Sequence, residues 1–172
     1  RLAEKQRSPY QYTIDATEAN GGMSSIIYAF DMLAPDLKPS TRHAFIHDFL
    51  VPAGLQCRNH YIGDGNQQAT VNAVTLYAGL AARNWPLAAF AYNAEHGVTG
   101  ILKWTFTDEG THIRDGYQTY ALRPIFWIAE LLHGVGIPFY EHHEERLHEV
   151  VEAGFDDRNF WTFVEQQRLD SE

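Results

Sequence analysis

The stretch Ile62-Gly-Asp-Gly-Asn-Gln-Gln-Ala-Thr-Val-Asn-Ala-Val-Thr-Leu-Tyr77 decides how this chain is read. It opens on a glycine-bracketed turn, Gly63-Asp64-Gly65, a pattern suited to backbone at positive φ. A block of amides, Asn66, Gln67 and Gln68, then leads into an apolar run. That run predicts a helix from about Gln67 to Ala82, with Val71, Val74, Leu76, Tyr77 and Leu80 apolar. Ala69, Ala73, Ala78, Gly79, Ala81 and Ala82 are small, so neighbouring helices can approach closely. Asn66 is placed to cap the helix by accepting an N–H bond from its first turn. The same amides at a helix mouth also suit an anionic group, because helix N-termini favour negative charge.

Upstream, residues 1–22 are polar and rich in turn formers and read as an irregular stretch. Ser24-Ser25 are expected to cap a short helix, Ile26 to Leu33, with Ile26, Ile27, Phe30 and Leu33 spaced along one face. Ala34-Pro35 ends it, since the residue before proline avoids helical backbone. A second helix opens at Pro39-Ser40-Thr41, with Phe45, Ile46, Phe49 and Leu50 as its apolar stripe. Pro52 and Gly54 are expected to interrupt it, leaving an irregular stretch to Asp64 that holds the polar cluster Arg58-Asn59-His60-Tyr61.

Downstream, Trp85-Pro86 starts a fourth helix that continues from Leu87 to about His96. Gly97 and Gly100 break the next stretch, and Thr107-Asp108-Glu109-Gly110 reads as a turn. Thr111 to Gly116 then leads into a fifth helix, Tyr117 to Leu132. It is apolar nearly all round, the mark of a buried central element. Gly134, Gly136 and Pro138 end it. An amphipathic sixth helix is expected over about Phe139 to Ala153, and a short one in the tail, Asn159 to Leu169. No run has the period-2 pattern of a strand, so the fold class is all-α, built from antiparallel helix pairs in a single domain over 1–172.

The bulk numbers narrow the function. The chain has 172 residues, 45% hydrophobic and 13% aromatic, enough for one sizeable core and too apolar for a disordered chain. Net charge is −9 and the thirteen Lys and Arg are scattered, which argues against a nucleic-acid partner. No apolar run reaches the ~18–20 residues needed to cross a bilayer, so no membrane partner is expected. Residues 1–7 carry no signal-peptide core; a chain starting at Arg1 is read as processed or as a fragment. The single Cys57 excludes an internal disulfide framework.

Nine histidines raise the question of a metal. His43 and His47, spaced i, i+4, share a helical face but bring no third ligand. In His142-His143-Glu144-Glu145-Arg146-Leu147-His148 the second histidine pair is five apart, which breaks the H-E-x-x-H spacing. That segment reads as a solvated charged face. No metal or other cofactor is expected. Cys57 beside Arg58 could be an activated thiol, although a small core residue is the commoner outcome.

Three groups of residues are instead expected to converge on one rim of the helical array. They are Arg58-Asn59-His60 with Asn66-Gln67-Gln68, His112 in the Gly110–Gly116 loop, and Tyr117-Gln118-Thr119-Tyr120. Amides, a histidine and tyrosines suit β-elimination beside a carboxylate. Amide or imidazole donors spread the enolate charge, a tyrosine removes the α-proton, and a phenol protonates the leaving oxygen.

The segments Gly65-Asn-Gln-Gln-Ala-Thr-Val-Asn-Ala-Val-Thr-Leu-Tyr-Ala-Gly-Leu80, Asp108-Glu-Gly-Thr-His112 and Tyr117-Gln-Thr-Tyr-Ala-Leu122 resemble the helical half of the heparinase II/III-like polysaccharide lyases and related alginate lyases. The resemblance covers about residues 25–140. It implies a segment of an incomplete (α/α) toroid, with a β-sandwich elsewhere in the same polypeptide and an acidic polysaccharide as substrate. It also implies a secreted or periplasmic location. By position, Asn66 resembles the amide that neutralises the uronate carboxylate, with Gln67 and Asn59-His60 as competitors. Tyr117 or Tyr120 resembles the catalytic tyrosine, and His112 a histidine lining the cleft; Arg58 and Arg114 would help to bind the substrate. The loop departs from the family's pattern, reading Asp-Glu-Gly and then Arg-Asp-Gly. Two other readings stand beside this one. One is a carbohydrate-binding helical domain without chemistry. The other is an (α/α)-type glycoside hydrolase using a carboxylate pair drawn from Asp64, Asp108, Glu109 and Asp115.

Overall fold

The computed structural model describes residues 22–59, 65–114 and 116–156. The expected irregular stretch up to residue 21, the tail helix, and His60, Tyr61, Asp64 and Asp115 lie outside those residues. Among the described residues the fold is all-helical, and the one β pairing is an isolated antiparallel bridge between Phe106 and His112.

The first helix, α1 (Ser24–Leu33), buries Ile27 and Phe30 but leaves Ile26 and Leu33 exposed, so its buried face is narrower than the apolar spacing implied. Met23, not a serine, holds the position before its first turn, and it is itself helical. The second helical run departs further from expectation. It begins at Pro39, where a missing N–H costs nothing, and passes through α2 (Pro39–Ala44) and a π-helical turn (Phe45–Leu50) into α3 (Val51–Asn59). Pro52 and Gly54 therefore do not break it. In the wide turn Val51 N–H bonds to the Ile46 carbonyl, five residues back. That widening gives the Pro52 ring room beside the preceding turn. Gly54 is a packing residue: a Cβ there would stand 2.5 Å from the Ala78 Cβ and 3.3 Å from Leu87.

The opening stretch becomes α4 (Gly65–Ala81), and this helix, rather than the one after Tyr117, is the central element. From Gly65 to Gly79 every residue but Gln67 is buried. It packs against α3, α5 (Trp85–Asn93), the short α6 (Ile101–Thr105) and α7 (Gln118–Gly134). Burial of Gln68, Thr70, Asn72 and Thr75 is possible because their side chains are hydrogen-bonded within the protein. The Thr70 and Thr75 hydroxyls donate to the carbonyls of Asn66 and Val71. Gln68 donates to Asn72, which donates to the His96 carbonyl, each at 2.8 Å. Helix α5 starts as its sequence implies, with Pro86 in the first turn, and the Asn84 side chain accepts from Leu87 N–H.

Helix α7 is one-sided. Ala121, Ile125, Ile128 and Leu132 are buried, whereas Tyr120 and Phe126 face outward. Trp127 meets Tyr28 of α1 and Tyr77 of α4, with ring centroids 5.3 and 6.4 Å away. The Tyr77 hydroxyl donates to Asp31 at 2.5 Å, so one aromatic cluster joins three helices. Gly136, at φ +79, closes α7, with Ile137 N–H returning to the Leu132 carbonyl and Gly136 N–H to His133. The expected sixth helix is split into α8 (Phe139–His142) and α9 (Glu144–Asp156).

Candidate functional site

Between α6 and α7 the chain makes a small hairpin-like loop. Thr107 N–H bonds to the Thr111 carbonyl, Gly110 N–H to Thr107, and Ile113 N–H to Thr105. Gly110 turns at φ +83, where a Cβ would come within 2.8 Å of the Glu149 carbonyl of α9. Arg146 of α9 donates to the carbonyls of Thr107 and Asp108 and pairs with Glu149 at 2.8 Å. This corrects the sequence reading of Arg146 as part of a solvated charged face: its guanidinium clamps the turn that carries His112.

His112 is buried at 5% exposure. Its Nδ1 lies 2.9 Å from both the N–H and the carbonyl of Arg114, a local clasp that fixes the ring. Phe106 meets the ring edge-on at 6.1 Å. Its Nε2 points to the mouth of α4, 3.8 Å from where a Cβ of Gly65 would begin. Gly65 itself turns at φ +68, so the chain enters α4 through backbone that favours glycine.

Asn66 follows as the second residue of α4, buried at 7% exposure, so it lies inside the helix rather than at the preceding cap position. Gln67 is exposed beside it. Tyr117 holds the position before α7, and its ring stands 5.9 Å from the His112 ring. The Tyr120 ring lies a further 5.9 Å along. Both tyrosines are exposed, at 45% and 57%. The exposed Arg114 follows His112 on the loop.

The structure therefore brings the mouth of α4, His112, Arg114, Tyr117 and Tyr120 to one place. Arg58 and Asn59 close α3 and are exposed, and the Arg58 guanidinium sits over the Phe90 ring of α5 at 4.9 Å. His60, their expected companion, lies outside the described residues.

Other candidates resolve differently. Cys57 is fully buried, and burial pushes its thiol up to about 12, so it is a core residue and not a nucleophile. Among the described residues no three His, Cys, Asp or Glu side chains gather as a metal site; the His43 and His47 rings lie 4.2 Å apart. Asp108 and Glu109 are neighbours on one exposed turn and do not face each other across a cleft. A hydrogen bond from Thr107 holds the Glu109 carboxyl below its usual range, the opposite of what a general acid needs. A cleft of about 300 Å³, lined in part by Lys103, Asp108 and Arg146, opens beside that turn.

One residue of the site has a role that its sequence did not suggest. Gln118, the first residue of α7, is buried and bonded to both the His112 loop and α9. A lone glutamine opening an otherwise apolar helix was the only signal, and it does not distinguish a buried side chain from a solvated one. Comparison with protein-family models, with curated proteins and with solved structures finds no match to this chain.

Proposed function

We propose that this chain is part of a polysaccharide lyase, a segment of an (α/α) toroid of antiparallel helix pairs, acting on a uronate-containing glycan by β-elimination. The observation that carries the reading is the His112 imidazole, held between the mouth of α4 and the exposed Tyr117–Tyr120 pair. At that mouth the first amides of α4 favour negative charge, and Asn66 or Gln67 is the candidate partner for the sugar carboxylate. His112 and Arg114 bring a donor and a positive charge to where the enolate forms.

One tyrosine, as phenolate, takes the proton next to the carboxylate. The electron pair forms the new carbon–carbon double bond and expels the glycosidic oxygen, which takes a proton from the same or the neighbouring phenol. The two exposed rings lie side by side, 5.9 Å apart, so both can face one sugar residue. A polymeric substrate fits a secreted or periplasmic location, and the remaining toroid and a β-sandwich would come from the same polypeptide.

The test is to incubate the full-length protein with alginate, hyaluronan and heparin and follow ultraviolet absorbance from the unsaturated uronate. Tyr117→Phe or Tyr120→Phe should lower kcat by about 100-fold or more, within the range for a lost acid–base group. Absorbance that survives both substitutions together would sink the tyrosine mechanism. New reducing ends without absorbance point to hydrolysis, and binding without either product points to a carbohydrate-binding domain.

A further inference from the structure

Gln118 makes three hydrogen bonds, all to backbone outside its own helix. Its Oε1 accepts the His112 N–H at 2.5 Å, while its Nε2 donates to the Gly110 carbonyl at 2.9 Å and the Val150 carbonyl at 2.6 Å. The side chain is 4% exposed, so water does not replace these bonds. Gly154 of α9 leaves space for it: a Cβ there would lie 3.3 Å from the Gln118 Cγ. One amide thus ties α7, α9 and the two ends of the Gly110–His112 segment together.

The two sides of His112 are fixed by different groups. Its backbone N–H is held by Gln118, and its ring Nδ1 by the Arg114 backbone two residues on. The ring's Nε2 is thereby aimed at the start of α4. We propose that Gln118 is a positioning residue for His112: it sets the direction of the imidazole and couples it to α9. The kinetic consequence rests on the lyase reading; the consequence for the His112 ring does not.

The residue type is specific. A glutamate would keep the acceptor but set a carboxylate oxygen against two carbonyls, unless it were protonated and donated one O–H. A methionine keeps the volume and loses all three bonds. An asparagine is one methylene too short to span the gap.

In the full-length protein, Gln118→Met should lower kcat about tenfold or more with KM within about threefold, because a small misplacement of a reacting group acts on the chemical step. Gln118→Glu should regain activity relative to the parent as pH falls through the range where its carboxyl protonates. Independently, histidine-selective NMR of the full chain should show the His112 ring signals shifted or broadened in Gln118→Met, with those of His43 and His47 unmoved. Should Gln118→Met not fold, the same His112 signals in Gln118→Glu should move toward the parent's on acidification. Unmoved His112 signals in a folded variant would overturn the positioning role whatever the activity. Shifted signals in a protein with no lyase activity would retain the positioning role and overturn the lyase reading alone.

Discussion

Gly79 is the position where the packing of α4 is most exposed to a single methyl group. A Cβ there would lie 2.5 Å from the Ala88 nitrogen, 2.8 Å from its Cα and 2.8 Å from its Cβ. Nonbonded carbon contacts relax at about 3.5–4.0 Å, so α4 and α5 must separate by about 1 Å. The obstructing atoms are backbone and an alanine methyl, and no rotamer change relieves them. Overpacking typically costs about 1–3 kcal/mol and more where backbone must shift, so about 3–4 kcal/mol is expected here, against roughly 1 kcal/mol gained by alanine over glycine in a helix. We expect Gly79→Ala to destabilise the fold by about 2–3 kcal/mol net.

Urea unfolding followed by circular dichroism reads this directly, as a midpoint lowered by roughly 1 M for a slope of about 2–3 kcal/mol per molar. Gly134→Ala is the internal control, since nothing lies within 4 Å of a Cβ there; its midpoint should stay level or rise slightly. Gly54→Ala, facing the Ala78 methyl, should also be destabilising. A Gly79→Ala midpoint matching that of Gly134→Ala would refute the view of α4 as a closely packed hub.

Burial, reinforced by the bond to Asp31, pushes the Tyr77 phenol far above its ordinary value. Its stabilising contribution is therefore full below the unfolded-state pKa of about 10 and falls as pH rises beyond it. Tyr77→Phe should cost about 1–2 kcal/mol at pH 7 through the lost bond. The gap between the two urea midpoints should shrink above pH 10; a gap that widens there contradicts the assignment. Cys57, with its thiol raised to about 12 by burial, should react with a thiol-specific chromogenic reagent at pH 8 only as fast as the fold opens, and prompt stoichiometric labelling of the native protein would show that it is not in the core.

The elements were legible where the signal is local. Trp85-Pro86 carries a first-turn proline and α5 begins there as expected, whereas the Asn84 side-chain cap on Leu87 N–H is a feature the structure adds. Turn chemistry likewise places Thr107-Asp108-Glu109-Gly110, with Gly110 N–H returning to Thr107. Pro52 misled because its effect depends on the π-turn preceding it, which has no composition signature of its own. The central helix was misassigned for a related reason. The run after Tyr117 carries the larger apolar side chains, yet α4, with its threonines, asparagines and alanines, is the one buried on every side. Small residues let four neighbours approach, and Gln68, Thr70, Asn72 and Thr75 spend their hydrogen bonds inside the core, which average hydrophobicity does not report. At the site, residue type and position at loop-to-helix junctions brought forward His112, Tyr117 and Tyr120. The role of Gln118 was not legible because it exists only once α9 folds back onto the loop, 32 residues later.

The boundary between buried and exposed runs through the candidate site itself. Asn66, His112 and Gln118 lie on the inner side, held by α4, the loop and α9, whereas Gln67, Arg114, Tyr117 and Tyr120 face outward. Rearranging His112 or Gln118 means breaking buried hydrogen bonds, each worth about 1–3 kcal/mol when a partner is left unsatisfied. The outer set can be changed with little effect on stability. That division makes function and fold separable by experiment. Tyr117→Phe and Tyr120→Phe remove two exposed hydroxyls, so they should leave the urea midpoint within about 0.2 M of the parent while abolishing the proposed chemistry. The same substitutions at inner positions, such as His112→Phe, should disturb both. If the tyrosine variants instead lost stability and the His112 variant did not, the inner and outer roles drawn here would have to be exchanged.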